Sequence, residues 1–322
     1  MIHLDAERIR ELLDYTYLIE ALRGAHAGQG MPLLDRRITD AGGNMFVNLT
    51  AWSPGRAIAV KLVGVFPENG GRSPPEPSIQ GIVVLFDGET GKALMTCDGA
   101  EMTYRKTAAD SALGASLLAR RDARTLLVIG AGGLAPHMVR AHRAARPELD
   151  RFLIWNRSLE KATAVADELS NEGITVEVQG SLDDALAMAD IISSVTMATA
   201  PLIKGALLKP GTHVDLVGSY LPDMREADDD VMSRAALICM DIREGHDSTG
   251  DIIQPMANGV IRFEDIRADL FELATGAHPG RVSESDITVF KNIGGGHLDL
   301  FAAMALHQRA AKDQIRGQTM SR

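Results

Sequence analysis

Three groups of residues in this chain have types and spacings that could do chemistry. The first is Thr125-Leu126-Leu127-Val128-Ile129 running straight into Gly130-Ala131-Gly132-Gly133-Leu134-Ala135. A branched apolar pentad with glycines behind it reads as a strand buried on both faces that turns into a helix. In that reading Gly130 makes the tight turn, Gly132 lets the backbone approach a pyrophosphate, and Ala135 fills the small position where helix meets strand. Gly133 and Leu134 complete the turn, and phosphate sits at the helix N-terminus. A glycine-rich loop of any α/β protein is the alternative. Against it stands Phe152-Leu153-Ile154-Trp155, a second apolar strand after a helix-length interval, which closes a unit of about thirty residues.

The second group, Asn156-Arg157-Ser158, follows that strand at the place where the ribose of a bound dinucleotide would be read. A carboxylate there would bind the 2′-hydroxyl of NAD, whereas Arg157 with Asn156 and Ser158 suits a 2′-phosphate. The expectation is NADPH, with NADH possible; an arginine that caps the next helix is the plainer reading. The third group is cationic. Lys61 interrupts Ala57-Ile58-Ala59-Val60-Lys61-Leu62-Val63, where a solvated lysine would have to snorkel to an edge. An outward-facing lysine on a half-exposed strand and a functional one are both open. Arg105 and Lys106 stand near the start of a small-residue helix read from Thr103 to about Leu118, where the macrodipole disfavours cations. A bound anion would relieve the conflict; a surface basic pair is the alternative.

The elements that must position these groups fall in two textures. Amphipathic helices over residues 5 to 28 precede short strands at 36–39, 45–49 and 57–63, a Pro- and Gly-rich loop at 67–77, and strands at 79–86 and 92–97 joined by the turn Asp87-Gly88-Glu89-Thr90-Gly91. From residue 125 onward strands and helices alternate, with strands at 174–178, 191–195, 213–217, 236–240 and 287–290, and a final helix covers 297–311. The fold class expected is α/β, a Rossmann doubly wound parallel sheet beside an α+β domain. Ligands of such sheets sit at the strand C-terminal ends, so Thr196, Met197, Val217 and Gly218 are candidates to line the cofactor.

Composition narrows the partners. The 322 residues suit two domains, and 45% hydrophobic with 24% charged residues is ordinary for a globular chain. A net charge of -10 with no basic stripe argues against nucleic acid. Cys97 and Cys239 alone offer neither a disulfide framework nor a metal motif, and no metal is expected. The N-terminal residues show no signal-peptide pattern and no apolar run reaches membrane-spanning length, so a cytoplasmic protein without a membrane partner is expected.

With these residues placed, the chain resembles the ornithine cyclodeaminase and mu-crystallin family over nearly its whole length. The carriers are Val60-Lys61-Leu62-Val63 with Phe66-Pro67-Glu68-Asn69, Leu85-Phe86-Asp87 with Thr90-Gly91, Lys106-Thr107-Ala108-Ala109-Asp110-Ser111-Ala112, the glycine turn, Trp155-Asn156-Arg157-Ser158, and Thr288-Val289-Phe290-Lys291-Asn292 before Gly294. The resemblance implies a homodimer, with residues 1–118 and 299–322 as a substrate-binding and dimerisation domain and 119–298 as the Rossmann domain. It implies that Arg37 (or its neighbour Arg36), Lys61 and Lys106 surround a substrate carboxylate and cofactor phosphates, and that Thr107 and Asn292 join Lys106 among the cofactor contacts. The family usually has Arg where Lys106 stands, which keeps the charge but gives up bidentate geometry.

One departure bears on the reaction. Ornithine cyclodeaminases carry an aspartate after the glycine step near residue 218, and here Tyr220 occupies that position in Val217-Gly218-Ser219-Tyr220. A phenol is no counter-ion for an ammonium at neutral pH. This version resembles the branch that reduces cyclic ketimines. The expected activity is therefore NAD(P)H-dependent reduction of Δ1-pyrroline-2-carboxylate, and of its six-membered homologue, with Lys61 as the catalytic residue and Tyr220 against the substrate. The rivals are ornithine cyclodeaminase itself and a non-enzymatic, NADPH-dependent binder of small ligands like mu-crystallin.

Overall fold

The computed structural model describes residues 1–28, 30–74 and 76–320. It forms two compact units, Met1–Thr107 with Gly295–Arg322, and Ala108–Gly294. The sequence reading drew its boundaries at 118/119 and 298/299; the units themselves meet at 107/108 and 294/295.

The first unit is built on a six-stranded sheet. Its strands are β1 (Ile2–Leu4), β2 (Leu33–Ala41), β3 (Asn44–Ser53), β4 (Ala57–Val65), β5 (Ile79–Asp87) and β6 (Ala93–Asp98), in the order β1-β6-β5-β4-β3-β2. Neighbours from β2 to β6 are antiparallel, and β1 joins parallel to β6. Helices α1 (Ala6–Leu12) and α2 (Tyr15–Gly28) bury Ile9, Leu12, Leu18, Ile19 and Leu22, and α1 is capped by Asp5, whose carboxylate accepts from Arg8 N. Helix α3 (Gly99–Leu118) begins four residues ahead of the Thr103 expected from sequence, because the Asp98 carboxylate accepts from Glu101 N at 2.7 Å and satisfies an orphan donor of the first turn.

The second unit is an eight-stranded, all-parallel sheet. In chain order it comprises β7 (Thr125–Ile129), α4 (Ala135–Ala145), β8 (Arg151–Trp155), α5 (Leu159–Ser170), β9 (Val176–Val178), α6 (Leu182–Met188), β10 (Ile191–Ser194), β11 (His213–Leu216), α7 (Asp229–Arg234), β12 (Ala235–Met240), α8 (Gly250–Ala257), β13 (Ile266–Asp269), α9 (Leu270–Thr275) and β14 (Ile287–Lys291). The strand order β13-β12-β14-β11-β10-β7-β8-β9 reverses between β7 and β10, the switch point of a doubly wound sheet. All five residues of β7 are buried, as its unbroken apolar run requires. The parallel edge strand β13 and the three-residue β1 were not expected from sequence; both are too short for periodicity to register. The last helix, α10 (Gly296–Met320), returns to the first unit and packs across β2 to β5. Among the described residues no helix is long and apolar enough to cross a membrane.

Candidate functional site

In the first unit the cationic residues converge on one carboxylate. Lys61, on β4, and Lys106, on α3, form ion pairs with the two oxygens of Asp299 on α10, Lys61 Nζ to Oδ2 at 3.1 Å and Lys106 Nζ to Oδ1 at 2.7 Å. Lys106 also donates to the Gly295 carbonyl at 3.2 Å. All three side chains are at least nine-tenths buried, so Lys61 does not snorkel to water. Burial is the main force that pulls the Lys106 ammonium down to about 7; Asp299 holds it up and Lys61 pushes it further down. Burial holds His26 down to about 4, drives His297 well below the usual imidazole range with help from His26 and Lys106, and raises the Cys97 thiol to about 12.

Sheet register sorts the two arginines. Arg36 pairs with Leu49, Leu49 with Lys61, Lys61 with Val83 and Val83 with Cys97, so these side chains share the face on which α10 packs. Arg37 pairs with Asn48, which pairs with Leu62, and lies on the opposite face. The opposite face also carries Phe46, Trp52 and Ile82, exposed at 50%, 43% and 41%. Arg105, by contrast, is structural. Its Nε donates to Glu101 at 2.7 Å, a second nitrogen donates to the Leu13 carbonyl, and its guanidinium lies over the Tyr15 ring. The anions that relieve the basic pair at this helix are thus protein carboxylates, Glu101 for Arg105 and Asp299 for Lys106.

In the second unit the glycine turn has the shape a dinucleotide needs. Gly130 has φ +109°, and a Cβ there would stand 2.9 Å from the Val195 carbonyl at the end of β10, so only glycine lets the two strand ends come this close. A Cβ at Gly132 would meet nothing within 4 Å, and no side chain caps the N-terminus of α4 at Leu134. The amides of Gly132, Gly133 and Leu134 are therefore suited to hold a pyrophosphate, whereas Ala135 N is already given to the Gly132 carbonyl and Pro136 has no N–H. Next to the turn, Glu226 ties two strand ends together. Its Oε1 accepts from Ser194 Oγ at 2.5 Å, Thr196 N at 2.7 Å and Thr196 Oγ1 at 2.8 Å, and its Oε2 from Gly218 N at 2.6 Å. Burial beside Asp251 raises this carboxyl to about 7. A Cβ at Gly218 would lie 1.9 Å from the Thr196 carbonyl, so the backbone at Gly218 and the backbone at Thr196 approach as closely as a glycine allows.

The remaining expected residues are dispersed. Asn292 is buried, and its amide donates to Ser111 Oγ, which donates in turn to Asp215. Thr107 is buried on α3 beside Lys106. Val217 is half-buried, Met197 is 72% exposed, and the Tyr220 hydroxyl approaches Met197 Sδ at 3.9 Å. Two residues escaped the sequence reading. Asp299 interrupts the apolar run Leu298-Asp299-Leu300-Phe301-Ala302 just as Lys61 interrupts its strand, and the same signal would have found it. Glu226 sits beside Asp228-Asp229-Asp230, a run that reads as a solvated acidic face.

Comparison with known proteins adds four findings. Residues 9–314 match the model of the ornithine cyclodeaminase/mu-crystallin family. The chain is 41% identical over 294 residues to the Δ1-pyrroline-2-carboxylate reductase of Paracoccus denitrificans, covering 90% of this chain and 91% of that one. Its fold matches the structure of Thermococcus litoralis Δ1-pyrroline-2-carboxylate reductase in complex with NADH and L-proline, with a TM-score of 0.90, 29% identity and 98% of each chain covered. It also matches the iminosuccinate reductase of Paracoccus denitrificans in complex with NAD+, with a TM-score of 0.87, 25% identity and 97% of each chain covered.

These complexes overturn the expectation of NADPH. The solved relatives hold NADH and NAD+, and the structure gives the physical reason why Asn156-Arg157-Ser158 misled. Ser158 is the N-cap of α5 and its hydroxyl accepts from Lys161 N, while the Asn156 amide donates to the Ser158 carbonyl. Two of the three groups assigned to a 2′-phosphate are thus engaged in starting a helix, and Arg157 is an exposed side chain beside them.

Proposed function

Because the chain belongs to the ornithine cyclodeaminase/mu-crystallin family, we propose that it is an NADH-dependent reductase that converts Δ1-pyrroline-2-carboxylate to L-proline, and the six-membered Δ1-piperideine-2-carboxylate to L-pipecolate. The observation that carries this reading is the 41% identity to a Δ1-pyrroline-2-carboxylate reductase over nine-tenths of both chains. Reduction needs a hydride at the imine carbon and a proton at the imine nitrogen. Bound NADH supplies the hydride. Gly130, Gly132, Gly133 and Leu134 hold its phosphates, the Thr196–Met197 and Val217–Gly218 loops line the cofactor, and Asn156 to Ser158 lie at the ribose.

The first unit supplies what the imine needs. Lys106 and Lys61 bind the substrate carboxylate, Arg36 takes the binding role given above to Arg37 because it shares the Lys61 face, and the Lys61 ammonium holds the proton for the nitrogen. Tyr220 takes the place of the aspartate that ornithine chemistry requires. The exposed sheet face with Phe46, Trp52 and Ile82 supports a homodimer formed through it. The deciding experiment follows NADH oxidation with both cyclic imines beside an ornithine-dependent ammonia assay. Imine-dependent oxidation without ammonia is the expected result. Ammonia release with catalytic NAD+ would make the protein a lyase, and tight imine binding with no turnover would make it a binder.

A further inference from the structure

We propose that Asp299 is a positioning residue that keeps Lys61 and Lys106 charged side by side, so that the pair acts as one recognition element for a single carboxylate. The proposal deepens the reductase reading, on which it rests only for the identity of that carboxylate. Two ammonium groups on different elements, β4 and α3, would repel each other in a buried place. Asp299 removes the conflict by giving each lysine its own oxygen, at 3.1 Å and 2.7 Å, and the span of one carboxylate then fixes the separation of the two ammonium groups.

Among the described residues, the buried titratable side chains close to the cluster include His26 on α2, Cys97 on β6 and His297 on α10, and burial keeps these three neutral near pH 7. With Lys61 and Lys106 protonated, the two ammonium groups exceed the single Asp299 carboxylate in charge, and Arg36 shares their sheet face, so the cluster is left with the positive excess that an anionic carboxylate would offset. Without Asp299 the two ammonium groups would have no counter-ion, and Lys106, which burial and Lys61 already draw down, would release its proton. The pair would then keep one cation, and Lys106 would turn from a donor that binds carboxylate into a neutral amine.

Lysine side chains labelled with 13C at Cε report protonation directly by NMR, and Lys→Met variants assign the signals. In Asp299→Asn the titration midpoint of Lys106 or Lys61 should fall by about one unit or more, and L-proline in the presence of NAD+ should bind about tenfold more weakly. If Asp299→Asn does not fold, the Lys106→Met background answers the same question, because adding Asp299→Asn there should lower the Lys61 midpoint by about one unit. Lysine midpoints that stay within about 0.3 unit of the parent, with a lower melting temperature alone, would overturn the proposal and leave Asp299 a packing residue. A wild type that neither binds L-proline nor reduces the imine would sink the reductase reading, while the lysine titration would still decide the role of Asp299.

Discussion

Asp215, within β11, offers a test of the buried network beneath the proposed cofactor loops. Its Oδ1 accepts from Ser111 Oγ at 2.9 Å and its Oδ2 from Ser193 Oγ at 2.7 Å, and the residue is fully buried. Ser111 gives its one proton to Asp215 while its oxygen accepts from Asn292, whereas the Ser193 hydroxyl can turn to accept. Burial, reinforced by Asp241 and opposed by the serines and Lys291, raises the Asp215 carboxyl from 3.8 to about 7. Between about pH 4 and 7 the folded chain therefore holds a proton that the unfolded chain has released. The contribution of Asp215 to stability therefore falls as pH rises through that window and levels off above it. At about 1.4 kcal/mol per unit, the part of the window between pH 4.5 and 8.5 corresponds to roughly 3 kcal/mol.

Asp215→Asn removes this loss and keeps the shape, because an amide can accept from Ser111 and donate to Ser193 as the neutral acid does. The variant should match the wild type within about 1 kcal/mol at pH 4.5 and exceed it by roughly 3 kcal/mol at pH 8.5. Urea unfolding at several pH values measures the difference, in which the other raised carboxyls, Glu226 and Asp241, cancel to first order. A variant-minus-wild-type difference that does not change with pH would refute the reasoning.

Other expectations concern the site and the assembly. Lys61→Met should lower kcat by about 10²-fold or more if its ammonium delivers the proton, and a normal kcat with a raised KM would reduce Lys61 to a binder. Arg36→Ala should raise the KM for the imine about tenfold while Arg37→Ala leaves it unchanged, and the reverse order would show that the sheet face has been misassigned. Gly218→Ala should cost about 1–3 kcal/mol and weaken NADH binding, since the new methyl lies 1.9 Å from the Thr196 carbonyl; an unaltered melting temperature with unaltered NADH affinity contradicts this. If the homodimer proposed above forms through the exposed sheet face, Trp52→Glu should make the protein monomeric in light scattering, and a persistent dimer would place the interface elsewhere.

Sequence alone determined what depends on neighbours along the chain. The apolar pentad ending at Ile129, the glycine turn and the return at Phe152 define a strand-turn-helix unit by periodicity and backbone freedom, and that information is local. The alternation of strands and helices after residue 125 likewise specifies a parallel, doubly wound sheet. What only tertiary structure decided depends on residues far apart in sequence. Arg36 and Arg37 are adjacent and chemically the same, and the pairing of β2 with β3 and β3 with β4 separates them, because a one-residue change of register reverses the face of every side chain. Asn156-Arg157-Ser158 reads as a phosphate site until the cap is seen, since the Ser158 hydroxyl accepts from the Lys161 amide at the start of a helix and the Asn156 amide donates to the Ser158 carbonyl. Lys61, Lys106 and Asp299 come from a strand, a helix and the last helix, and the Lys106 ammonium is drawn down by burial and by Lys61 and held up by Asp299, a balance that exists only once the chain has brought them together.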